Sequence, residues 1–496
     1  MKTGGVISVF CVKNIKGRPF LLILNALFCN YLFIFAIKLK RQMIQFAKRF
    51  RIKPIPEVEH LCRISKDLYN QSLYELKKKG EEEGVWLSHF DLREHMKTIH
   101  NLEGTVNYKL LRDAIADCVV KQVVKNVKSF FESIKKWKKH PEEFNAKPEF
   151  PHFLGRNGMN LLQIRYGHDC KIDKMGNITL NGMPDVKIPI PQWGKYADAI
   201  SKGCKQVRIL PDKGFMTIEV VYKAECHSAN VTKERLAAID FGIDNLATLV
   251  TPEGCTIFSG KVLKSYNQNF NKKLAHYTSI KAKQGIEKGT KRMTALYDKR
   301  NRYIETFMHT TSKAIVDLLI SQHIGKLVVG RNKGWKQKVN IGNKNNQKFV
   351  QIPFYMLQSQ LKYKCEMAGI EYVEQEESHT SKCDALAMEE IGHHDQYAGQ
   401  RKYRGLFKSS TGRYINADQN GALNILRKNI GNKAYKEKTK DWPMSSPVRI
   451  KHPQKNYAVC NPNKGQQITE AFPVMDQVHT ESVSLCGSVF ARMHDA

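Results

Sequence analysis

The sequence predicts a mixed α+β chain of several domains, in which a helical stretch interrupts a β-rich region and an α/β region follows. Apolar residues recur at three- to five-residue steps between Glu57 and Lys139, then fall into short runs bounded by turns between Pro148 and Ala224. From Val231 onward, buried strand-like runs alternate with long amphipathic stretches. With 496 residues, 42% of them apolar, the chain can bury two or three cores and is too hydrophobic for wholesale disorder.

Met43, Ile44, Phe46, Phe50 and Ile52 open the pattern as a basic strand ending near Pro56. Leu61, Ile64, Leu68, Leu73 and Leu76, and then Leu111, Ala114, Val119, Val123 and Val127, give the helices of the 57–139 insert. A basic cluster running from Lys135 to Lys139, followed by Pro141, stops that region. Strands are expected at 161–164, 178–180, 186–190, 206–210 and 216–222, with Gly176-Asn177 and Lys213-Gly214 as turns. In the last region Leu236 to Asp240 reads as a buried strand ending in an acid, with 246–250 and 256–258 as hairpin partners. A long helix carrying Met293, Leu296, Ile304, Phe307, Ile315 and Leu318 follows, then a strand at 327–329, a basic loop, and a helix at 354–368. A strand at 370–373 and a final helix over about 418–428 complete the pattern, which contains no internal repeat.

Charge gives the first functional clue. Eighty Lys and Arg stand against 47 Asp and Glu, a formal net of +33 spread over every segment. A chain so far from neutrality repels itself unless a polyanion is close, which points to nucleic acid ahead of a membrane surface. Twelve cysteines are scattered without a single C-x-x-C pair, which fits neither a disulfide framework nor a zinc ribbon and suggests free thiols in a reducing, cytoplasmic compartment. Residues 1–42 differ from the rest: Phe20–Ile37 is largely apolar between basic flanks, and no acid occurs before Glu57. A membrane anchor, a buried helix and a non-native extension before a start at Met43 compete as readings. The extension is favoured, because the coherent strand pattern begins at Met43.

Two-metal phosphodiester chemistry needs several carboxylates converging on hard cations, and no His or Cys cluster is required. Asp240 suits the first place, since a carboxylate closing a buried strand is costly unless it is paired or binds metal. A simple turn-starting Asp is the bland alternative, and Asp244 reads that way. Asp418, in the first turn of the last helix, could equally complement the helix dipole.

The stretches AAIDFGIDNLATLV, LVVGRNKGWKQ, EESHTSKCD, RGLFKSSTGRYINADQNGALNILRK and PVRI, in this order, resemble the transposon-encoded TnpB/OrfB family, relatives of type V CRISPR effectors and of Fanzor proteins. The resemblance is dense from Leu236 to Ile450. It implies a RuvC (RNase H-like) nuclease with acids at Asp240 and Asp418, and an N-terminal β-barrel-like wedge domain whose helical insert holds a guide RNA. The division expected is a β-rich wedge over 43–56 and 140–230, the recognition insert at 57–139, the nuclease at 231–430 with a lid insert at 383–415, and a basic tail from 431. Guide pairing would then supply sequence specificity next to a short target-adjacent motif.

Two departures shape the expected site. The family's usual second acid is missing at Gly330-Arg331; in a branch resembling Fanzor the Glu lies just before a T-S-K triplet, which here selects Glu377, with Glu376 in reserve. Alternatively Glu371, Glu374, Glu376 and Glu377 are a solvated strand edge and the nuclease is inactive. The two C-x-x-C pairs of many relatives are also missing: only Cys383 remains, with His393, His394 and Asp395 beyond it, so a metal-free lid is expected and zinc is not. Arg401, Lys402, Arg404 and Lys408 give the lid a face suited to a single strand. Trp335, Lys336 and Lys338 could contact the heteroduplex, or Trp335 could pack in the core. The expectation is therefore a Mg²⁺- or Mn²⁺-dependent, RNA-guided endonuclease on double-stranded DNA, monomeric and cytoplasmic or nucleoid-associated. An inactive, guided DNA-binding protein is the alternative.

Overall fold

The computed structural model describes residues 42–451 except 145, 213, 227, 228, 288, 332–350 and 445. The apolar run at Phe20–Ile37, the loop bearing Trp335, Lys336 and Lys338, and the tail beyond 451 all lie outside the described residues. Among those residues no helix is long and apolar enough to cross a membrane. The thiols of Cys62, Cys118, Cys170, Cys204, Cys255, Cys365 and Cys383 are free.

Strand β1 (Gln42–Ile52) pairs antiparallel along its whole length with β7 (Phe215–Cys226), and β6 (Cys204–Asp212) and β2 (Leu162–Arg165) extend the sheet in the order β1-β7-β6-β2. The strands β3 (Cys170–Ile172), β4 (Asn177–Leu180) and β5 (Met183–Pro189) form a separate meander. These sheets are open, which corrects the expected barrel. Closure would pair β2 with β1, but β2 is four residues long and, among the described residues, its strand partner is β6. Helices α1 (Pro56–Glu82), α2 (His89–Met96) and α3 (Asp113–Lys139) intervene between β1 and β2, and Phe46, Leu68, Val120, Ile164 and Val207 belong to one core with them. Helix α4 (Trp193–Gly203), absent from the sequence reading, leads into β6.

Glu219 is buried in this sheet, where its carboxylate accepts from Arg49 (2.9 Å) and Arg208 (3.1 Å). Burial pushes its pKa up, but the two guanidiniums outweigh that and hold it below the usual range. A depressed pKa contributes stability above the unfolded value of about 4.3, and this is lost as pH falls through the folded value. Glu219→Gln is expected to cost about 1–3 kcal/mol at neutral pH and to flatten the acid limb of a thermal-melt series.

The second half is built on a six-stranded sheet in the order β12-β11-β8-β9-β10-β16. Its strands are β8 (Thr232–Phe241), β9 (Asn245–Thr251), β10 (Gly254–Ser259), β11 (Ile324–Arg331), β12 (Glu371–Glu376) and β16 (Val448–Ile450). β8, β11 and β12 run parallel, β9 runs antiparallel to both of its neighbours β8 and β10, and β16, the PVRI segment, adds a parallel edge beside β10. Two helices, α5 (Lys261–Lys283) and α6 (Lys291–Ser321), stand where one was expected. The turn at Gly285, with φ +63, lies between them.

Side-chain alternation sorts this sheet's faces. Ala237, Ile239, Leu327 and Val329 share a core with Ile315 and Leu319 of α6 and with Leu357 and Leu361 of α7 (Phe354–Ala368). Leu236, Ala238 and Val328 point the other way, into a core with Ala422, Leu423, Ile425 and Leu426 of α8 (Ala417–Ile430). The next positions of the same parity, Asp240 and Gly330, therefore face α8. That parity sets up the site.

Candidate active site

Asp240 sits one residue past the Ile239/Val329 pair of the parallel β8/β11 ladder, so it neighbours Gly330 across the strands. A Cβ on Gly330 would lie 2.4 Å from Glu377 Oε2 and 2.6 Å from Ile425 Cδ1. The side chain of Glu377, arriving from the end of β12, thus occupies the volume that any residue larger than glycine at 330 would claim. Gly421, on the first turns of α8, plays a matching part: its added Cβ would lie 2.8 Å from Asp240 Oδ2. Two glycines on opposite sides cradle two carboxylates.

Electrostatics reflects the crowding. Asp240 is held well above the usual carboxylate range by burial first, then by the negative charges of Glu377 and Asp418. Glu377 is raised to about 7, again by burial first and then by Glu376. Like charges drawn together in a half-buried cleft resist ionising together unless a cation joins them. Glu376 behaves differently. More than half exposed, it takes Lys428 Nζ (2.5 Å) and the Ser378 amide (2.8 Å) and hydroxyl (2.9 Å), and these partners, Lys428 foremost, bring it down to about 2. The structure brings Glu377, and not Glu376, to Asp240.

Asp418 enters from α8, whose N-terminus is capped by Asn416 accepting from the Asp418 and Gln419 amides. Its Oδ2 accepts from Asn245 Nδ2 (2.5 Å) and its Oδ1 from Arg401 (3.2 Å). Arg404 likewise pairs with Asp244 (2.6 Å), which also receives Lys264 (2.8 Å). Asp244, expected as a plain turn residue, is thus a charged tie between the lid and α5. Lys402 donates to Gln400 on its own strand, and Lys408 lies over the Tyr414 ring at 5.9 Å. Arg401 and Lys402 lie on β13 (Gln400–Tyr403), which with β14 (Leu406–Lys408) and β15 (Tyr414–Asn416) forms a three-stranded meander leading into α8. The sequence reading missed Asn245 and the two cradling glycines; a glycine's role as empty space carries no motif of its own.

The donor set fits a hard divalent cation in chemistry: all three acids supply oxygen, and the glycine cradles leave room for nothing bulkier than the carboxylates. Among the described residues no three acidic, His or Cys side chains close tightly enough to enclose an ion as they stand. Asp418 would have to exchange Arg401 for the metal.

Residues 219–336 match the family model OrfB_IS605, described as a probable transposase, and residues 354–425 match the Cas12f1-like TNB domain. Both matches fall on the elements just described. Over those residues the chain is similar to these two families. Comparison of the chain with curated proteins finds no match. Among solved structures it is similar to Cas12f1 in a complex with sgRNA and target DNA, at 15% identity and a TM-score of 0.46 over 75% of this chain and 83% of that one. It is also similar to CasPhi-2 (Cas12j) bound to crRNA and phosphorothioate DNA, at 10% identity and a TM-score of 0.36 over 82% and 92%.

Proposed function

We propose that this chain is an RNA-guided endonuclease that cuts DNA by metal-dependent phosphodiester hydrolysis at Asp240, Glu377 and Asp418. The observation that carries the reading is the placement of Glu377 in the gap at Gly330, beside Asp240. A chain that had merely lost its acid at 330 would have no need to fill that gap with another carboxylate. Asp240 and Glu377 would hold a Mg²⁺ or Mn²⁺ ion from the sheet side and Asp418 from the helix side. Such an ion, when bound, supplies activated water and stabilises the leaving oxygen. Asn245 orients Asp418 through its 2.5 Å bond. Arg401, once released from Asp418, and Arg404, exposed beside Asp244, would present guanidiniums to the backbone of a strand entering the cleft.

The partners in this reading are a guide RNA and double-stranded target DNA, consistent with the net charge of +33. The domain division stays as the sequence suggests: a wedge sheet with its helical insert for the RNA, and the six-stranded α/β unit with its lid for cutting. With about 6–10 phosphates neutralised, affinity for nucleic acid should fall about 10³–10⁵-fold between 50 and 200 mM salt. A filter-binding titration with a flat salt response would argue against a phosphate-lined channel.

The deciding test is plasmid cleavage by the full chain, co-produced with the RNA flanking its gene and given Mg²⁺ and guide-matched targets beside randomised sequence. Cutting by the parent that disappears in Glu377→Ala supports the reading. Guided binding without cutting in both proteins would replace it with a guided DNA-binding protein.

A further inference from the structure

Residues 377–399, between β12 and β13, form neither helix nor strand. Long irregular segments stay ordered only when something ties them down, and in small knuckles that tie is commonly a metal or a disulfide. Here the order is evident: His379 and Met388 are held at φ +63 and +59, a conformation that non-glycine residues keep only when their surroundings enforce it.

The segment is organised around a buried carboxylate. Asp384 is completely buried. Its Oδ1 accepts from the amides of Leu386 (3.0 Å) and Ala387 (3.2 Å), while its Oδ2 accepts from Ser409 Oγ (2.7 Å) and from the amide (2.7 Å) and hydroxyl (3.2 Å) of Ser410. One side chain thus joins the start of the lid to the turn between β14 and β15 of its β-meander. Around it, the Asp384 amide donates to Glu389 (2.7 Å), whose other oxygen accepts from the Ala398 amide (2.7 Å). Buried Asn420 and Asn424 of α8 donate to the Cys383 carbonyl (2.8 and 2.7 Å), and Asn420 accepts from the Ala385 amide (3.0 Å). Those two asparagines lie on the helix that carries Asp418.

We propose that Asp384 is the anchor that, in place of a metal ion, fixes residues 383–415 on α8 and so positions Arg401 against the acids. An anion with five donors at its corners has the same topological effect as a cation with ligands from two loops: it crosslinks segments distant in sequence. A cation gathers acceptors; this site gathers backbone amides and hydroxyls, so a hydrogen-bond acceptor stands at its centre. The positioning half of the proposal rests on the nuclease reading above, while the anchoring half does not.

Hydrogen exchange on the full chain, with its guide RNA, tests both halves. A zinc-selective chelator should leave exchange in 383–415 unchanged. Asp384→Asn, which places an N–H among donors, should speed exchange of the Leu386, Ala387 and Ser410 amides by about tenfold or more while β8 and β11 stay protected. Affinity for guided target should hold within about twofold while the single-turnover cleavage rate falls about tenfold or more, a split that general unfolding would not give. Ser409→Ala removes one donor and no charge; it should show the same pattern more weakly, and it decides the matter if Asp384→Asn does not fold. Stoichiometric zinc whose removal exposes the lid, or variants with unchanged lid exchange, would overturn the anchor. Lost lid protection with no cleavage even by the parent would leave the anchor standing and defeat the nuclease reading instead.

Discussion

Gly330→Ala is expected to reduce DNA cleavage about a hundredfold while leaving the fold nearly as stable as before. The two atoms its methyl would strike, Glu377 Oε2 and Ile425 Cδ1, are side-chain ends that can yield, so the stability cost is small. The yielding is the damage: Glu377 must leave its place, and displacement of a reacting group by about 1 Å costs about 10²-fold. Gly421→Ala should act in the same direction on Asp240, whose Oδ2 would lie 2.8 Å from the new methyl. The sharper experiment moves the acid. In Gly330→Glu combined with Glu377→Ala, the carboxylate comes from β11 into the space vacated by the other. Cleavage by this double variant above that of Glu377→Ala alone would show that the site is defined by position in space. Full activity in Gly330→Ala would mean that Glu377 is not needed where it lies.

Asp240→Ala and Asp418→Ala should each lower the cleavage rate by at least about a thousandfold, because in the proposed mechanism each supplies an oxygen donor to the divalent ion. Guide and target affinity should change little, since Asp240 faces inward between the sheet and α8 and the Asp418 carboxylate is engaged by Asn245 and Arg401. The Asp418 variant has a second signature. Freed of its 3.2 Å partner, Arg401 gains one more unpaired positive charge for DNA, so binding should tighten slightly and not weaken. Cleavage retained in either variant would remove that residue from the site.

The strand runs were legible because alternation and β-branched content are local: Leu236 to Asp240 and Leu327 to Val329 lie close to where they were expected. The same parity put Asp240 on the α8 side, although nothing local says which face a helix distant in sequence will cover. Glu377 could be named only through the resemblance to a branch of the family; its own neighbourhood, with four acids in seven residues, does not separate it from Glu376. What separates them is Lys428, which draws Glu376 outward from α8. The barrel expectation failed for a comparable reason, since most of the strands were read, β3 excepted, but closure depends on pairing β2 with β1 across more than a hundred residues. The lid's basic residues were identified, yet Arg401 and Arg404 proved to be engaged by Asp418 and Asp244, because charge in sequence does not disclose its partner. Asp384, beside the lone Cys383, passed unnoticed as an ordinary loop acid.

The long β1–β7 ladder has a consequence for how the chain is made. Gln42 meets Cys226 and Ile52 meets Met216, so β1 leaves the ribosome well before its partner exists. Helices α1 and α3 close over shorter contacts and can form during that wait, whereas β1 must keep Phe46 and Phe50 out of wrong pairings until β7 arrives. Its sequence is suited to the delay: Lys48, Arg49 and Arg51 interrupt the apolar positions, giving the nascent strand a charge that discourages association between neighbouring chains.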